Sequence, residues 1–69
     1  MKLNLKLGQY RVLYTVGLTP VGWEVTRWIK YASEWEDQTI VAEQIIDRRK
    51  AKRQMHRDQR SLRASGIYR

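Results

Sequence analysis

Residues 2–16 read KLNLKLGQYRVLYTV, and this stretch decides how the chain begins to fold. Over Lys2–Leu7 leucine alternates with polar residues, which is the period of a half-buried β-strand. Tyr10–Val16 is rich in β-branched and aromatic residues, as strands prefer. Gly8 and Gln9 between them suit a two-residue II′ turn. The sequence therefore predicts an N-terminal β-hairpin with strands over about 2–7 and 10–16.

The register of this hairpin follows from the length of its turn. With a two-residue loop, Leu7 lies opposite Tyr10, and the leucines of the first strand share one face with the apolar residues of the second. The other face pairs Lys6 with Arg11, and like charges directly opposite each other are mildly destabilising. The pair therefore either meets an external anion or is simply solvated, and the sequence favours the solvated interpretation.

After the hairpin, the pattern indicates helix. Pro20 suits the first helical position, and apolar residues follow it at helical spacing. Ser33 begins a capping box, and Gly66 has the features of a left-handed residue that ends a helix. We therefore predict an α+β fold in which the hairpin is followed by a kinked or two-part helix, over about 20–32 and 34–65.

The second part of this predicted helix is too long for the chain's own core. At 1.5 Å per residue it would extend ~48 Å, so we expect its basic half to project or to lie along a partner. Helical angles place the apolar residues of 41–46 on the same side as Arg49 and Arg53. Ala51, Met55 and Asp58 lie on the reverse side. The sequence thus predicts one binding face that changes from apolar to cationic.

The charge is segregated along the chain. Residues 1–46 carry five basic and five acidic side chains, whereas residues 47–69 carry nine basic and two acidic ones, which account for the whole net charge of +7. We therefore divide the single small domain into a neutral docking body, 1–46, and a basic helical extension, 47–69. Such an extension favours nucleic acid as its partner. An acidic protein or lipid surface is the second interpretation, and a run of charges that is simply solvated is the third. The predicted anion contacts are Arg48, Arg49, Lys52, Arg53, Arg57, Arg60 and Arg63.

Three tryptophans, Trp23, Trp28 and Trp35, lie close together in the chain. They could stack on bases or form an aromatic cage, but packing in the core or at an interface is the favoured interpretation. So small a core does not hide three indole rings, because a chain of this size buries only about 60% of its surface. We therefore predict that at least one of the three docks into a protein neighbour.

The residues that carry enzyme chemistry are missing or poorly placed. The chain has no cysteine, and its one histidine, His56, lies between Arg53 and Arg57. It has no glycine-rich phosphate loop and no metal-ligand spacing. We therefore expect no catalytic residue, no metal, no cofactor and no small-molecule substrate. The most apolar stretch, 12–23, is interrupted too often to predict a transmembrane span, and the lack of cysteine favours a reducing compartment: cytoplasm, organelle matrix or virion.

These features predict a small non-catalytic structural subunit of a larger multi-subunit assembly. Its hairpin and tryptophan-bearing helix would dock on protein neighbours, and its arginine-rich helix on phosphates of rRNA or packaged DNA. The alternative is an accessory subunit of a membrane-bound, mitochondrial-type energy-converting complex, with the basic helix on acidic subunits or lipid headgroups. A free-standing DNA-binding regulator is disfavoured because no turn-separated recognition helix is evident.

Overall fold

Four antiparallel strands and one helix make up the fold. The computed structural model describes residues 1–31 and 34–68, except for the side chains of residues 34–36. The strands follow one another in the sheet in chain order, and the helix comes last. This confirms the α+β class. The elements are β1 (Lys2–Leu7), β2 (Tyr10–Thr19), β3 (Gly22–Tyr31), β4 (Glu34–Ile45) and α1 (Arg48–Ser65).

The predicted N-terminal hairpin is confirmed together with its register. Leu7 pairs with Tyr10, and Lys6 pairs with Arg11. Gly8 in the turn has a φ of 59°, a conformation that residues with a Cβ rarely adopt. The second strand is longer than predicted, because it continues to Thr19 and pairs along its whole length with β3.

The predicted first helix, 20–32, is wrong, because most of this segment forms β3. Thr19 pairs with Gly22, so Pro20 occupies a tight turn rather than the first turn of a helix. The Thr19 hydroxyl donates a hydrogen bond to the Gly22 carbonyl at 2.7 Å. A two-stranded hairpin is marginally stable alone, and β3 gives β2 the second hydrogen-bonded neighbour that the predicted helix could not supply.

The predicted second part, 34–65, is also wrong over its first third. Residues 34–45 form the edge strand β4, and the break predicted at Ser33 falls outside the described residues. Register shifts interrupt the pairing of β4 with β3 near Val25 and near Ile29. Such bulges twist an edge strand and limit its pairing with other chains. Gln44 at the end of β4 has a φ of 57°, which few residues with a side chain adopt.

Both ends of α1 have specific caps. The Asp47 carboxylate accepts a hydrogen bond from the Lys50 backbone N–H at 2.9 Å. Gly66 has a φ of 68° and donates its N–H to the Arg63 carbonyl at 3.4 Å, which confirms the predicted left-handed cap. Ile67, directly after this cap, is 74% exposed, whereas Tyr68 packs against the core. The helix has 18 residues, so it is ~27 Å long.

The core lies between α1 and one face of the sheet. Ala51, Met55 and Leu62 of α1 are buried there. They pack with Val12 and Ile29, among other apolar residues of the central strands. The expectation that the basic half projects because it exceeds the core is therefore wrong. The helix is short enough to lie on the chain's own sheet, and the side predicted as its reverse is the packed side.

The pH dependence of the Asp47 cap is a first test of this structure. The hydrogen bond from the Lys50 backbone lowers the pKa of Asp47 below its ordinary value of 3.8. Because the pKa is lower in the folded state, ionised Asp47 stabilises the fold at pH values above 3.8. This stabilisation is lost as the pH falls through the folded-state pKa. We expect Asp47→Ala to lower the thermal midpoint at pH 7, and the gap from the parent chain to shrink below about pH 3.8.

Asp47→Asn is the matched control, because asparagine also caps helices but does not titrate. The difference in thermal midpoint between Asp47→Asn and Asp47→Ala should vary much less with pH in the same circular dichroism melts. If the difference in thermal midpoint between the parent chain and Asp47→Ala stayed constant down to pH 2, the charge of Asp47 would contribute nothing to stability.

Candidate nucleic-acid interface

The packing of α1 decides which of its side chains face solvent. Ala51, Met55 and Leu62 point into the core, with exposures of 0%, 1% and 9%. At 100° per residue, the opposite side of the helix is centred on Arg53 and Arg60. The side that the sheet leaves free is therefore strongly cationic.

A hydrogen-bonded ion pair also attaches α1 to the sheet. Arg27 of β3 donates from Nη1 to both carboxylate oxygens of Asp58, at 2.8 and 3.0 Å. The Tyr14 hydroxyl donates to Asp58 Oδ2 at 2.5 Å. The Arg27 and Asp58 side chains are only 16% and 21% exposed. One carboxylate thus receives three hydrogen bonds from two strands and holds the helix in register on the sheet.

The electrostatics of this cluster follow from burial and from Asp58. Burial and the hydrogen bond to Asp58 raise the pKa of Tyr14, so its hydroxyl remains a donor. Burial by itself would lower the pKa of Arg27, but the hydrogen bonds to Asp58 outweigh it, and the pKa is raised. Arg27 Nε is buried without a hydrogen-bond partner among the described residues, which makes the two bonds of Nη1 to Asp58 more important.

Sequence reasoning missed this cluster. It treated Asp58 as an acid placed behind the binding face. A usable signal was present, since Asp58 is the one acidic residue within α1 and shares its side with Ala51, Met55 and Leu62. An acid on the apolar side of a cationic helix indicates a buried partner, because an unpaired buried charge is strongly unfavourable.

Four arginines form the outward arginine stripe, on the side of α1 away from the sheet. All four are exposed, and within the described residues none has an ion-pair partner. The first and last are eleven residues apart, so the stripe is ~16 Å long. Its members are Arg49, Arg53, Arg57 and Arg60.

The other predicted anion contacts lie on the flanks of the same helix. Arg48, Lys52 and Arg63 are exposed, and so are Lys50 and His56. All seven predicted basic residues are therefore exposed on one helix, although Arg48, in its first turn, shares the side of Met55. They surround the outward arginine stripe and do not form a separate site.

The three tryptophans lie on strands, so the prediction of a tryptophan-bearing helix is wrong. Trp23 is partly buried and packs against the core. Trp28 is partly buried on the opposite side of the sheet, since it alternates with the core residue Ile29. The side chain of Trp35 is outside the described part of the chain. Docking of these tryptophans on a neighbour stays a prediction.

Metal-ligating side chains are not clustered in the described part of the chain, which contains no group of three or more of them. A shallow depression lies between α1 and β4 and is lined by Val41, Gln54, Arg57, Asp58 and Ser61. Over the same residues, no helix is long and apolar enough to cross a bilayer.

Comparison with known proteins adds no family to this description. No protein-family model matches the chain, and neither the curated proteins nor the solved structures give a significant match.

Proposed function

We propose that this protein is a non-catalytic subunit of a nucleoprotein assembly that binds duplex phosphates through the outward arginine stripe. The observation that carries the proposal is the division of α1 into two sides. One side is fixed to the sheet by buried apolar residues and by the Arg27–Asp58 pair. The other presents exposed arginines with no ion-pair partner among the described residues, so their charge is available to an external anion.

The shape of the cationic side supports nucleic acid over a compact anion. A helix with side chains is ~10–12 Å wide, and the B-DNA major groove is about 12 Å wide. A stripe of ~16 Å can follow several successive phosphates, which are about 3.4 Å apart along the axis of each strand. Arginine suits this role because its planar guanidinium donates two parallel hydrogen bonds to one phosphate.

Exposed apolar side chains support the proposal that the protein belongs to an assembly. Leu18 and Val21, at the β2–β3 turn, are 69% and 67% exposed, and Ile46, just after β4, is 87% exposed. The pairing of Leu18 with Trp23, and of Trp23 with Ile45, places all three at one end of the sheet. Apolar groups gathered in this way are typical of protein contacts, whereas the outward arginine stripe is polar throughout.

The test is a salt series with the purified full chain and a fluorescent B-DNA duplex, with an RNA duplex of the same sequence in parallel. Contact with four to six phosphates predicts a slope of log K against log[salt] between about −3.6 and −5.4 on B-DNA. Tighter binding to DNA than to RNA would favour entry into the major groove, because that groove is deep and narrow in A-form RNA.

Vesicles containing phosphatidylserine provide the competing arm of this experiment. A slope near zero with both duplexes, together with binding to the acidic vesicles, would overturn the proposal. That outcome would favour the accessory subunit of a membrane-bound complex instead. Binding to the duplexes that is unaffected by neutral vesicles and steeply weakened by salt is the result expected here.

A further inference from the structure

The outward arginine stripe has a middle line and two edges. The three buried residues of α1 define the centre of its core side, and at 100° per residue the point opposite that centre falls on Arg53. Arg60 lies about 20° from this point, whereas Arg49 and Arg57 lie about 40° from it, to opposite sides. The stripe therefore has two arginines along its middle line and one at each edge.

A helix in the major groove of B-DNA uses these positions differently. The groove is about 12 Å wide and about 8.5 Å deep, and base edges are exposed at its floor. Side chains along the middle of the outward side face this floor, and those at the edges face the phosphate backbones that form the walls. The placement of Arg53 and Arg60 thus suits base contacts, and that of Arg49 and Arg57 suits phosphate contacts.

The surroundings of the middle line allow α1 to approach the floor of the groove. Arg53 and Arg60 are exposed, and within the described residues neither has an ion-pair partner. Ala64, on the same line, is exposed and carries only a methyl group, so it does not hold the helix away. Asp58, the one acidic residue within α1, is bound by Arg27 on the sheet side. No carboxylate of α1 therefore repels DNA from the outward side.

The spacing of the two middle arginines predicts what they bind. They are seven residues apart, which is ~10.5 Å along α1. Successive base pairs rise about 3.4 Å along the DNA axis, and helices that bind successive bases do so with residues about three apart. Seven residues therefore span two or three base-pair steps. Arginine donates two hydrogen bonds to O6 and N7 of guanine, the commonest specific contact in this groove.

We propose that Arg53 and Arg60 bind guanine in the major groove of DNA, at two positions that are two or three base pairs apart. Arg49 and Arg57 bind the backbones on either side. The inference rests on the proposed function and names the duplex that the outward arginine stripe prefers. On a duplex without these guanines, the two middle arginines bind phosphates instead, as in non-specific binding.

The test compares fluorescent B-DNA duplexes that differ at two base pairs. The guanines are two base pairs apart in one duplex and three in another, and the reference duplex has adenine at these positions. Each bidentate contact is worth about tenfold in affinity, so we expect the full chain to bind the better guanine duplex about 100-fold more tightly than the reference. Replacing both guanines with 7-deazaguanine removes the N7 acceptor but keeps the base pairing, and it should remove most of this preference.

Two double variants with the same loss of charge locate the preference on the helix. Arg53→Ala with Arg60→Ala should bind the guanine and reference duplexes with nearly equal affinity. The matched control, Arg49→Ala with Arg57→Ala, should keep the preference, bind every duplex more weakly and make the salt slope shallower by about 1.8. All four side chains are exposed and alanine favours helix, so circular dichroism should show an unchanged fold.

The possible outcomes separate this inference from the proposed function. If the full chain binds the guanine and reference duplexes equally and with a steep salt dependence, the inference is overturned and the proposed function stands. A preference that both double variants lose to the same extent also overturns the inference. If no duplex binds at low salt, the proposed function fails and this inference fails with it.

Discussion

Glutamine at all four positions of the outward arginine stripe is expected to weaken duplex DNA binding by about 4,000-fold at 0.1 M salt. Each lost phosphate contact changes the slope of log K against log[salt] by about 0.9, so four contacts correspond to about 3.6 decades between 0.1 M and 1 M. The slope itself should become shallower by the same amount. A fluorescence anisotropy titration at several salt concentrations measures both quantities.

The fold of this variant should be unchanged. The four side chains are exposed, and within the described residues they form no ion pair. Glutamine also has a helix propensity close to that of arginine. The matched control replaces Lys2, Lys6 and Arg11, on the side of the sheet away from α1, with glutamine, which removes three charges from the other side of the molecule. Comparable duplex affinity of the two variants would contradict the proposal, because binding would then depend on total charge rather than on the stripe.

The second large effect is expected for Asp58→Ala. This change removes all three hydrogen bonds to the carboxylate and leaves Arg27 largely buried beside an unpaired Tyr14 hydroxyl. Breaking a buried ion pair from one side costs roughly 3–5 kcal/mol, and the partial exposure of this pair reduces the expected loss to about 3 kcal/mol. Urea unfolding followed by tryptophan fluorescence measures the change. A domain of this size has only about 3–10 kcal/mol of stability in total, so a large fraction would be lost.

Two further variants show how much of the loss in Asp58→Ala comes from removing a negative charge and how much from the hydrogen bond of the Tyr14 hydroxyl. Asp37→Ala removes the same charge at an exposed position on β4 and should change stability by less than about 0.5 kcal/mol. Tyr14→Phe removes one hydrogen bond and should cost about 1 kcal/mol. If Asp58→Ala were no less stable than Asp37→Ala, the cluster would not hold α1 on the sheet.

The combination Arg27→Met with Asp58→Leu refines this result. Apolar residues of similar volume often replace a buried ion pair with little loss of stability. We expect the double variant to be more stable than Asp58→Ala alone, because no charge is then left unpaired. This outcome would show that the pair mainly fixes the position of α1 and that the penalty in the single variant comes from the remaining guanidinium.

The predictable parts of the fold depend on neighbours in the chain. The hairpin register followed from a two-residue turn and strict alternation, which together allow one pairing of Leu7 with Tyr10. The helix end at Gly66 followed from the ability of glycine to adopt the left-handed conformation that ends a helix, and Gly66 does adopt it. The exposure of the basic residues of α1 followed from their type, because unpaired arginine and lysine are seldom buried.

The segment from 20 to 45 was mispredicted because its local signals support two structures. Pro20 fits a turn as well as a first helical residue. Val25, Trp28 and Ile29 of β3 also occur at spacings that resemble one face of a helix. What selects the strand is β2, whose second edge needs hydrogen bonds from a neighbour. That requirement arises only once the hairpin exists, so a short window of sequence does not contain it.

By itself, the sequence determined the hairpin, the cationic surplus of the last third of the chain and the C-terminal end of α1. The tertiary structure alone decided that β3 and β4 are strands, that the side of α1 with Met55 faces inward, and that Asp58 pairs with Arg27. The physical reason is distance along the chain. Turns, caps and alternation act over two to four residues, whereas Arg27 and Asp58 are 31 residues apart and meet only when the sheet buries one face under the helix.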